Sequence, residues 1–238
     1  MKRLMAVFSA LALCWLCPQR ASADNVPRFC SGCNFSGSSL AGADFSGAIY
    51  IGSNFAGADL ARASFRGAKI VAANFENADL TGAAFDAADC TACNFAGAKL
   101  DGATFSGVRM TAANFSGFAA LVGEADLRGL LGGCVSCGFH GSRLAGRDLS
   151  GLPLVAVDFS GADLRGTRFN GAVLCWYDIA GTQRGMKCDS MSAAQVDGAN
   201  FQNVMLCDDP IAKRSCVTVD AGTLRRYTGS TLSGATPP

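Results

Sequence analysis

The residues of this 238-residue chain that could do chemistry are its twelve cysteines. Six form three pairs with one spacing: Cys30/Cys33, Cys90/Cys93 and Cys134/Cys137. A Cys-x-x-Cys pair can be a redox site when it is exposed at a helix start. Two such pairs side by side can hold zinc. The same spacing also suits a disulfide across a tight turn. A turn brings its first and last Cα within about 7 Å, which is inside a disulfide's reach. Buried free thiols, acting as small apolar fillers, are a further reading. Cys175, Cys188, Cys207 and Cys216 have irregular spacing. Pairing Cys175 with Cys188 and Cys207 with Cys216 would pin two irregular segments, but three connectivities are open.

Other chemistry is sparse. The single histidine is His140, next to the apolar Phe139 and expected to point to solvent. No nucleophile, base and orienting group can be read from spacing. No Gly-rich loop is followed by Lys-Ser or Lys-Thr, so no phosphate cradle is indicated. The sequence therefore predicts neither a catalytic set nor a cofactor.

The elements that must position these residues follow a period of five. From Phe35 to Phe115 every fifth residue is large and apolar or Cys, and two positions before it sits a small residue, as in Ala58 before Leu60. Five fits neither the helical nor the strand period. A short fixed period marks a solenoid, whose units bury their apolar side only against their neighbours. Reading every twentieth residue sharpens this. One column is Phe35, Phe55, Phe75, Phe95, Phe115. The next is Leu40, Leu60, Leu80, Leu100, and the third is Phe45, Phe65, Phe85, Phe105. The fourth is mixed: Cys30, Tyr50, Ile70, Cys90, Met110. A coil is therefore twenty residues with four faces, and like stacks on like. Asn34, Asn54, Asn74, Asn94 and Asn114 form a ladder beside the first column, suited to rung-to-rung amide bonds. The acids that precede inward residues, such as Asp44, Asp59, Asp79, Asp148, Asp158 and Asp163, are expected to serve backbone hydrogen bonds.

The units Ala58-Asp59-Leu60-Ala61-Arg62 and Ala78-Asp79-Leu80-Thr81-Gly82 resemble the pentapeptide-repeat family. The resemblance implies an all-β chain folded as a right-handed quadrilateral β-helix. It implies a shape and no single activity.

In chain order, residues 1–23 read as a signal peptide. Lys2 and Arg3 precede an apolar run, and Ala21-Ser22-Ala23 offers a cleavage site. Its removal leaves 17 basic and 19 acidic residues, a net charge of −2. That balance indicates neither a nucleic-acid partner nor a strongly acidic, DNA-like surface. Ten cysteines remain, an even number, which suits an exported protein with disulfides. Residues 24–206 are expected to form the β-helix. The phase slips by four residues between Phe115 and Phe139, where we expect a bulge or small loop within 116–138. A second slip, over 180–200, makes Ile179 to Phe201 a coil plus two residues. On that assignment Phe201 ends the first column, giving about nine coils and a rod of roughly 38 Å at about 4.8 Å per step. Residues 207–238 are expected to form a cap, with a short strand at 217–219 and a helix or turn at 222–227. The tail from Thr228 onward is expected to be disordered.

With these columns, the three Cys-x-x-Cys pairs share one corner and point inward, which disfavours redox exposure. They lie about 10–14 Å apart along the axis, too far for one zinc ion. Cys175 should face outward. Arg147 and Tyr177 fill slots where small residues belong. With Arg143, Arg165, Arg168 and the outward Trp176, Arg147 forms a candidate interaction patch, unless the arginines pair with nearby acids. The function these features suggest is an exported, periplasmic or extracellular, non-enzymatic scaffold that displays side chains to a protein partner. It would have no nucleic-acid partner and no membrane insertion after cleavage. End-to-end dimerisation is one association that the rod shape allows. The alternatives are a thiol–disulfide protein and, ranked lower, a DNA mimic that shields a topoisomerase.

Overall fold

A computed structural model describes residues 23, 25–119, 122–178, 185–208, 210, 211, 213, 215–228 and 235. All of the expected leader except Ala23, most of the tail, and Ile179 lie outside the described residues.

The chain winds so that its backbone groups point along the rod axis. Phe55 N–H donates to Asn74 O at 2.7 Å, and Asn74 N–H donates to Ser53 O at 2.9 Å. The same pattern recurs every twenty residues in parallel bridges such as Asn34↔Asn54↔Asn74↔Asn94↔Asn114 and Ser39↔Asp59↔Asp79. Turns make the corners. Ser38 N–H returns to Phe35 O at 3.1 Å, and Gly37 between them has φ +62°. That φ is what the third residue of a type II turn requires, and glycine adopts it without strain.

Only the fourth face forms continuous strands. β1 (Phe29–Ser31), β2 (Ile49–Ile51), β3 (Lys69–Val71), β4 (Asp89–Thr91), β5 (Arg109–Thr111) and β6 (Cys134–Val135) make one parallel sheet. Its outward positions are rich in β-branched residues (Ile49, Ile51, Val71, Thr91, Thr111, Val135), which fit a pleated surface.

The core is the set of columns. Phe35, Phe55, Phe75, Phe95 and Phe115 stack at 4.8–4.9 Å with nearly parallel rings. Phe45, Phe65 and Phe85 stack at 4.6 and 4.9 Å. The two stacks meet edge to face, as in Phe55–Phe65 at 6.1 Å and 90°. Both geometries suit the ring quadrupole and contribute beyond buried area. Between the stacks, Tyr50 is fully buried and its hydroxyl donates to Pro27 O, which ties the entry segment to the core. In the Asn ladder, Asn94 Nδ2 donates to Asn74 Oδ1 at 3.1 Å, and Asn114 Nδ2 to Asn94 Oδ1 at 3.0 Å.

Both slips differ from expectation. The first is not a bulge or loop: residues Glu124–Gly132 form a nine-residue helix, α1, within a coil of 24 residues, Asn114 to Gly138. Leu127, Leu130 and Leu131, at helical spacing, are buried. A helix pairs its N–H and C=O groups with one another along its own axis, so it cannot continue the ladder. Its side chains take that role. Phe105 N–H, in the coil below, donates to Asp126 Oδ1 at 3.3 Å. Asp148 N–H, in the coil above, donates to Glu124 Oε1 at 2.7 Å. Arg128 donates to Asp148 O at 3.0 Å and Ser150 O at 2.8 Å. The helix also lies close on the coil beneath. A Cβ at Gly129 would meet Phe105 O at 2.7 Å, and one at Gly133 would collide with Val108 O.

The second slip is a hairpin that starts earlier than expected. β7 (Val173–Asp178) and β8 (Gly185–Cys188) pair antiparallel, and regular coil resumes at Ser190. The bridge Asp158↔Ser190 spans 32 residues. A coil plus two therefore becomes a coil plus twelve. Phe201 consequently stacks on Phe169 at 4.9 Å, in the third column, and Met191 takes the rung above Phe159. The first face carries eight rungs, from Phe35 to Met191. The fourth carries nine, from Cys30 to Leu206. Cys175 is fully buried rather than outward, because a register shift between Val173 and Cys175 places it beside the inward Leu206.

The C-terminal end is covered by β9 (Met205–Cys207), parallel to β7, by β10 (Val217–Thr218), antiparallel to β9, and by α2 (Ala221–Thr228). Met191 N–H donates to Thr228 O at 2.6 Å, and Leu224 is fully buried. Thr228 is thus the end of the cap rather than the start of a tail, and Ala235 packs against the core.

Two substitutions separate stacking from ladder repair. Phe75→Ala should lower unfolding free energy by about 3–5 kcal/mol. Asp126→Ala, which orphans the Phe105 N–H, should cost about 1–3 kcal/mol. Urea denaturation of the oxidised protein measures both.

Candidate functional site

The arginines singled out above lie on faces two and three, around α1. Each of three finds an acid. Arg147 Nη1 is 3.6 Å from Glu124 and donates to Val122 O at 3.3 Å. Arg168 reaches Asp148 at 3.1 Å, and Arg165 holds Asp163 at 2.7–2.8 Å. Arg143 is exposed and adds its field to Asp163, whose carboxyl is held below its usual range first by the Arg165 hydrogen bond. The Asp148 carboxyl is lowered to about 2 by hydrogen bonds from Ser150, with Arg168 adding to them. Trp176 is half-buried on β7, between Lys187 of β8 and Cys207 of β9, on the fourth face. The structure therefore gives a belt of alternating charge on faces two and three, with Trp176 set apart from it. The Tyr177 side chain lies outside the described residues.

Opposite charges one coil apart recur along the rod, as in Arg66–Asp86 at 3.2 Å, Lys99–Asp79 at 3.5 Å and Arg109–Asp89 at 2.9 Å. They are the cross-strand pairs of a solenoid. At this exposure each adds only about 0.2–1 kcal/mol.

The acids before inward residues close Asx turns. Asp44, Asp59, Asp79, Asp148, Asp158 and Asp163 each accept the N–H two residues on, at 2.9–3.2 Å. His140 is exposed.

The structure joins all ten cysteines outside the leader in five disulfides. Cys30–Cys33, Cys90–Cys93 and Cys134–Cys137 have Cα atoms 5.9, 6.0 and 5.7 Å apart. Each spans the corner between faces four and one and lies within the core, with exposure of 7% or less. Cys175–Cys188 closes the hairpin, and Cys207–Cys216 ties the cap. Among the described residues no cluster of His, Cys, Asp or Glu could hold a metal ion. No helix there is long and apolar enough to cross a membrane.

The spacing argument missed Asp189. It is fully buried in the corner column of Cys33, Ser53, Ala73, Cys93, Ala113, Cys137 and Val157. Its Oδ1 accepts Val157 N–H at 2.9 Å, while Oδ2 has no partner. The column would have revealed an acid in an apolar slot, but a misplaced register after Ile179 hid it. Burial pushes the Asp189 carboxyl well above its ordinary range, and the Val157 and Ala156 N–H groups offset that only in part.

A family model for pentapeptide repeats matches in eight copies, over residues 30–67, 51–82, 88–117 and 137–175, together half of the chain. Among solved structures, full-length QnrB1, a plasmid-mediated fluoroquinolone resistance protein, is 19% identical. That match covers 82% of this chain and 85% of QnrB1, with a TM-score of 0.31. HetL, a pentapeptide repeat protein involved in heterocyst differentiation regulation in the cyanobacterium Nostoc sp., is 22% identical over 72% of this chain and 73% of its own, with a TM-score of 0.28. A pentapeptide repeat protein of the Arabidopsis thaliana thylakoid lumen is 26% identical over 59% and 68%, with a TM-score of 0.15. No curated protein sequence matches significantly.

Asp189 gives a pH signature. An unfolded aspartate titrates near 3.9, and the folded one titrates well above it. Between the two values the folded state holds a proton that the unfolded state has released. Stability therefore falls as pH rises from about 4 until the folded-state pKa is passed. Asp189→Asn keeps the Oδ1 acceptor and removes the titration. Its denaturation midpoint should gain on the parent's as pH rises above about 4 until the folded-state pKa is passed, whereas parallel profiles would show that the carboxyl is solvated in the folded protein.

Proposed function

We propose, from the premise that this chain belongs to the pentapeptide-repeat family, that it is an exported, non-enzymatic scaffold presenting a rigid rod to a protein partner. One observation carries the reading: the side chains with chemical potential are already committed to holding the rod together. Its carboxylates accept backbone N–H groups or pair with arginines. The cysteines of its three Cys-x-x-Cys pairs are bonded and buried. A structure with polar groups so engaged offers partners a shape and a pattern of outward side chains.

Export is supported by the leader-like residues 1–23 and by the cysteine arithmetic, since disulfides persist outside the reducing cytosol. A thiol–disulfide function is the second reading. It needs a sulfur that an incoming thiolate can reach, and exposures of 0–7% at the three repeated pairs do not favour it. A DNA-mimic reading ranks lowest, because a net charge of −2 beyond the leader gives it little support.

Cell fractionation followed by N-terminal sequencing should recover a mature chain beginning at Asp24. Alkylation of the folded, non-reduced protein should then label no cysteine, and peptide mapping should return the five pairs above. A rapidly labelled Cys-x-x-Cys pair, or a cytosolic chain with free thiols, would move the thiol reading to first place.

A further inference from the structure

Among the described residues, six large hydrophobics are exposed, and four of them are neighbours on one face. Phe29 is 57% exposed, Ile51 and Val71 each 42%, and Ile49 39%. They lie in strand register as Phe29↔Ile49 and Ile51↔Val71, on the outer side of the β1–β6 sheet. The other two, Ile211 and Val217, belong to the C-terminal cap. An apolar cluster on a flat sheet, in a chain whose other outward positions are mostly small or polar, marks an association surface.

The outward residues of this sheet form two columns along the rod. One reads Phe29, Ile49, Lys69, Asp89 and Arg109, with the C-cap of α1, Gly133, at the sixth rung. The other reads Ser31, Ile51, Val71, Thr91, Thr111, Val135 and Val155. We infer that this face is the contact surface of an antiparallel homodimer, with its two-fold axis lying in the interface between the Lys69 and Asp89 rungs.

Self-complementarity carries the choice of a second copy over any other partner. A two-fold axis along the strand direction lays each column on its own reversed copy. Lys69 then meets Asp89 of the other molecule, and Asp89 meets Lys69. Lys69 forms no ion pair with any described residue of its own chain, while Asp89 also holds Arg109 at 2.9 Å. Ile49 falls against the aliphatic stem of Arg109, which can cover it and keep its charge in water. Phe29, the largest side chain in its column, falls beyond Arg109, over the end of α1 at its C-cap Gly133. In the second column Ile51 meets Thr111 and Val71 meets Thr91, so β-branched packs on β-branched. Every rung of both molecules shares the strand spacing of about 4.8 Å, so the match persists over the length of the face. Two sheets packed this way form a sandwich interface.

The face is narrow. Six rungs span about 24 Å, which makes this a small interface of the weak, transient class. The dimer is therefore concentration-dependent.

Sedimentation equilibrium of the full exported chain, from about 1 µM to 1 mM, tests this, because it reads self-association whether or not the scaffold reading holds. The wild type should pass from monomer to dimer. Lys69→Asp, which sets like charges opposite each other, should weaken the dimer at least ~tenfold. Adding Asp89→Lys restores opposite charges and should return the Kd to within about threefold of the parent. Ile51→Lys, at an outward position with an unchanged melting temperature as the control for folding, should leave monomer throughout. A wild-type chain that is monomeric at 1 mM overturns the inference. So does a dimer indifferent to both Lys69→Asp and Ile51→Lys, since that dimer would use another surface, such as an end of the rod.

Discussion

The whole molecule depends on one constraint: backbone N–H and C=O groups point along the rod axis and can be satisfied only by the coil above or below. A buried unpaired backbone group costs as much as a lost hydrogen bond. Each coil must therefore return to the same angular position after twenty residues, as the unbroken run of bridges from Asn34 to Asn114 shows. Once the backbone repeats, side chains must repeat too. Phe55 lands on Phe35 because the N–H of Phe35 is held by Asn54 O. Ring stacking, the Asn ladder and the cross-rung ion pairs are consequences of that register, and each in turn penalises a slip.

The constraint is clearest where the sequence violates it. Two insertions interrupt the ladder, and acidic side chains repair both. At α1, Asp126 and Glu124 accept the N–H groups of Phe105 and Asp148. At the hairpin, Asp189 accepts that of Val157. A carboxylate presents the acceptor that a missing carbonyl would have offered. The cost depends on depth. Glu124 is exposed and Asp126 only half-buried, so both keep hydration, while Asp189 is sealed in and is driven toward its neutral form. The disulfides serve a related role. At three corners an i to i+3 backbone bond closes the turn, as from Ser38 to Phe35. At the fourth, residues in those same two places are Cys90 and Cys93, joined through sulfur. So short a loop gains little from chain entropy, so its contribution lies in fixing corner geometry.

The solenoid, its columns and the corner shared by the three Cys-x-x-Cys pairs were all legible in the sequence, because a ladder that forces register also forces periodicity. What failed to show was what periodicity cannot encode. Ala125-Asp126-Leu127-Arg128-Gly129 reads as one more repeat, yet it folds as a helix, because Leu127, Leu130 and Leu131 also satisfy the helical period and the flanking phase is already broken. Phe201 was assigned to the wrong column for a specific reason. Columns one and three are both phenylalanine, so a Phe after an insertion fits above Phe159 or above Phe169 equally well. The backbone pairing decides between them: Phe159 N–H donates to Ser190 O, and Phe169 N–H to Asn200 O. Cys175 was placed outward by alternation, which the register shift on β7 reverses.

Outward positions are the one part of such a chain that the ladder leaves free, so surface chemistry has to be weighed against strand propensity. On the fourth face the two requirements can be separated. Strand formation there asks for β-branched residues, and Thr91 and Thr111 meet that need while still offering hydroxyls to water. Ile49, Ile51 and Val71 meet it no better and expose hydrocarbon at a cost of roughly 25 cal/mol per Å². Phe29 stands at the first rung, where the strand has only one neighbour to pair with. Propensity therefore accounts for a β-branched column but not for the exposed apolar side chains gathered on rungs one to three, since Val135 and Val155 further along are half-buried. That restriction to the N-terminal third is what a contact surface would impose and a folding requirement would not, since the ladder at β4 and β5 has the same geometry and carries polar residues.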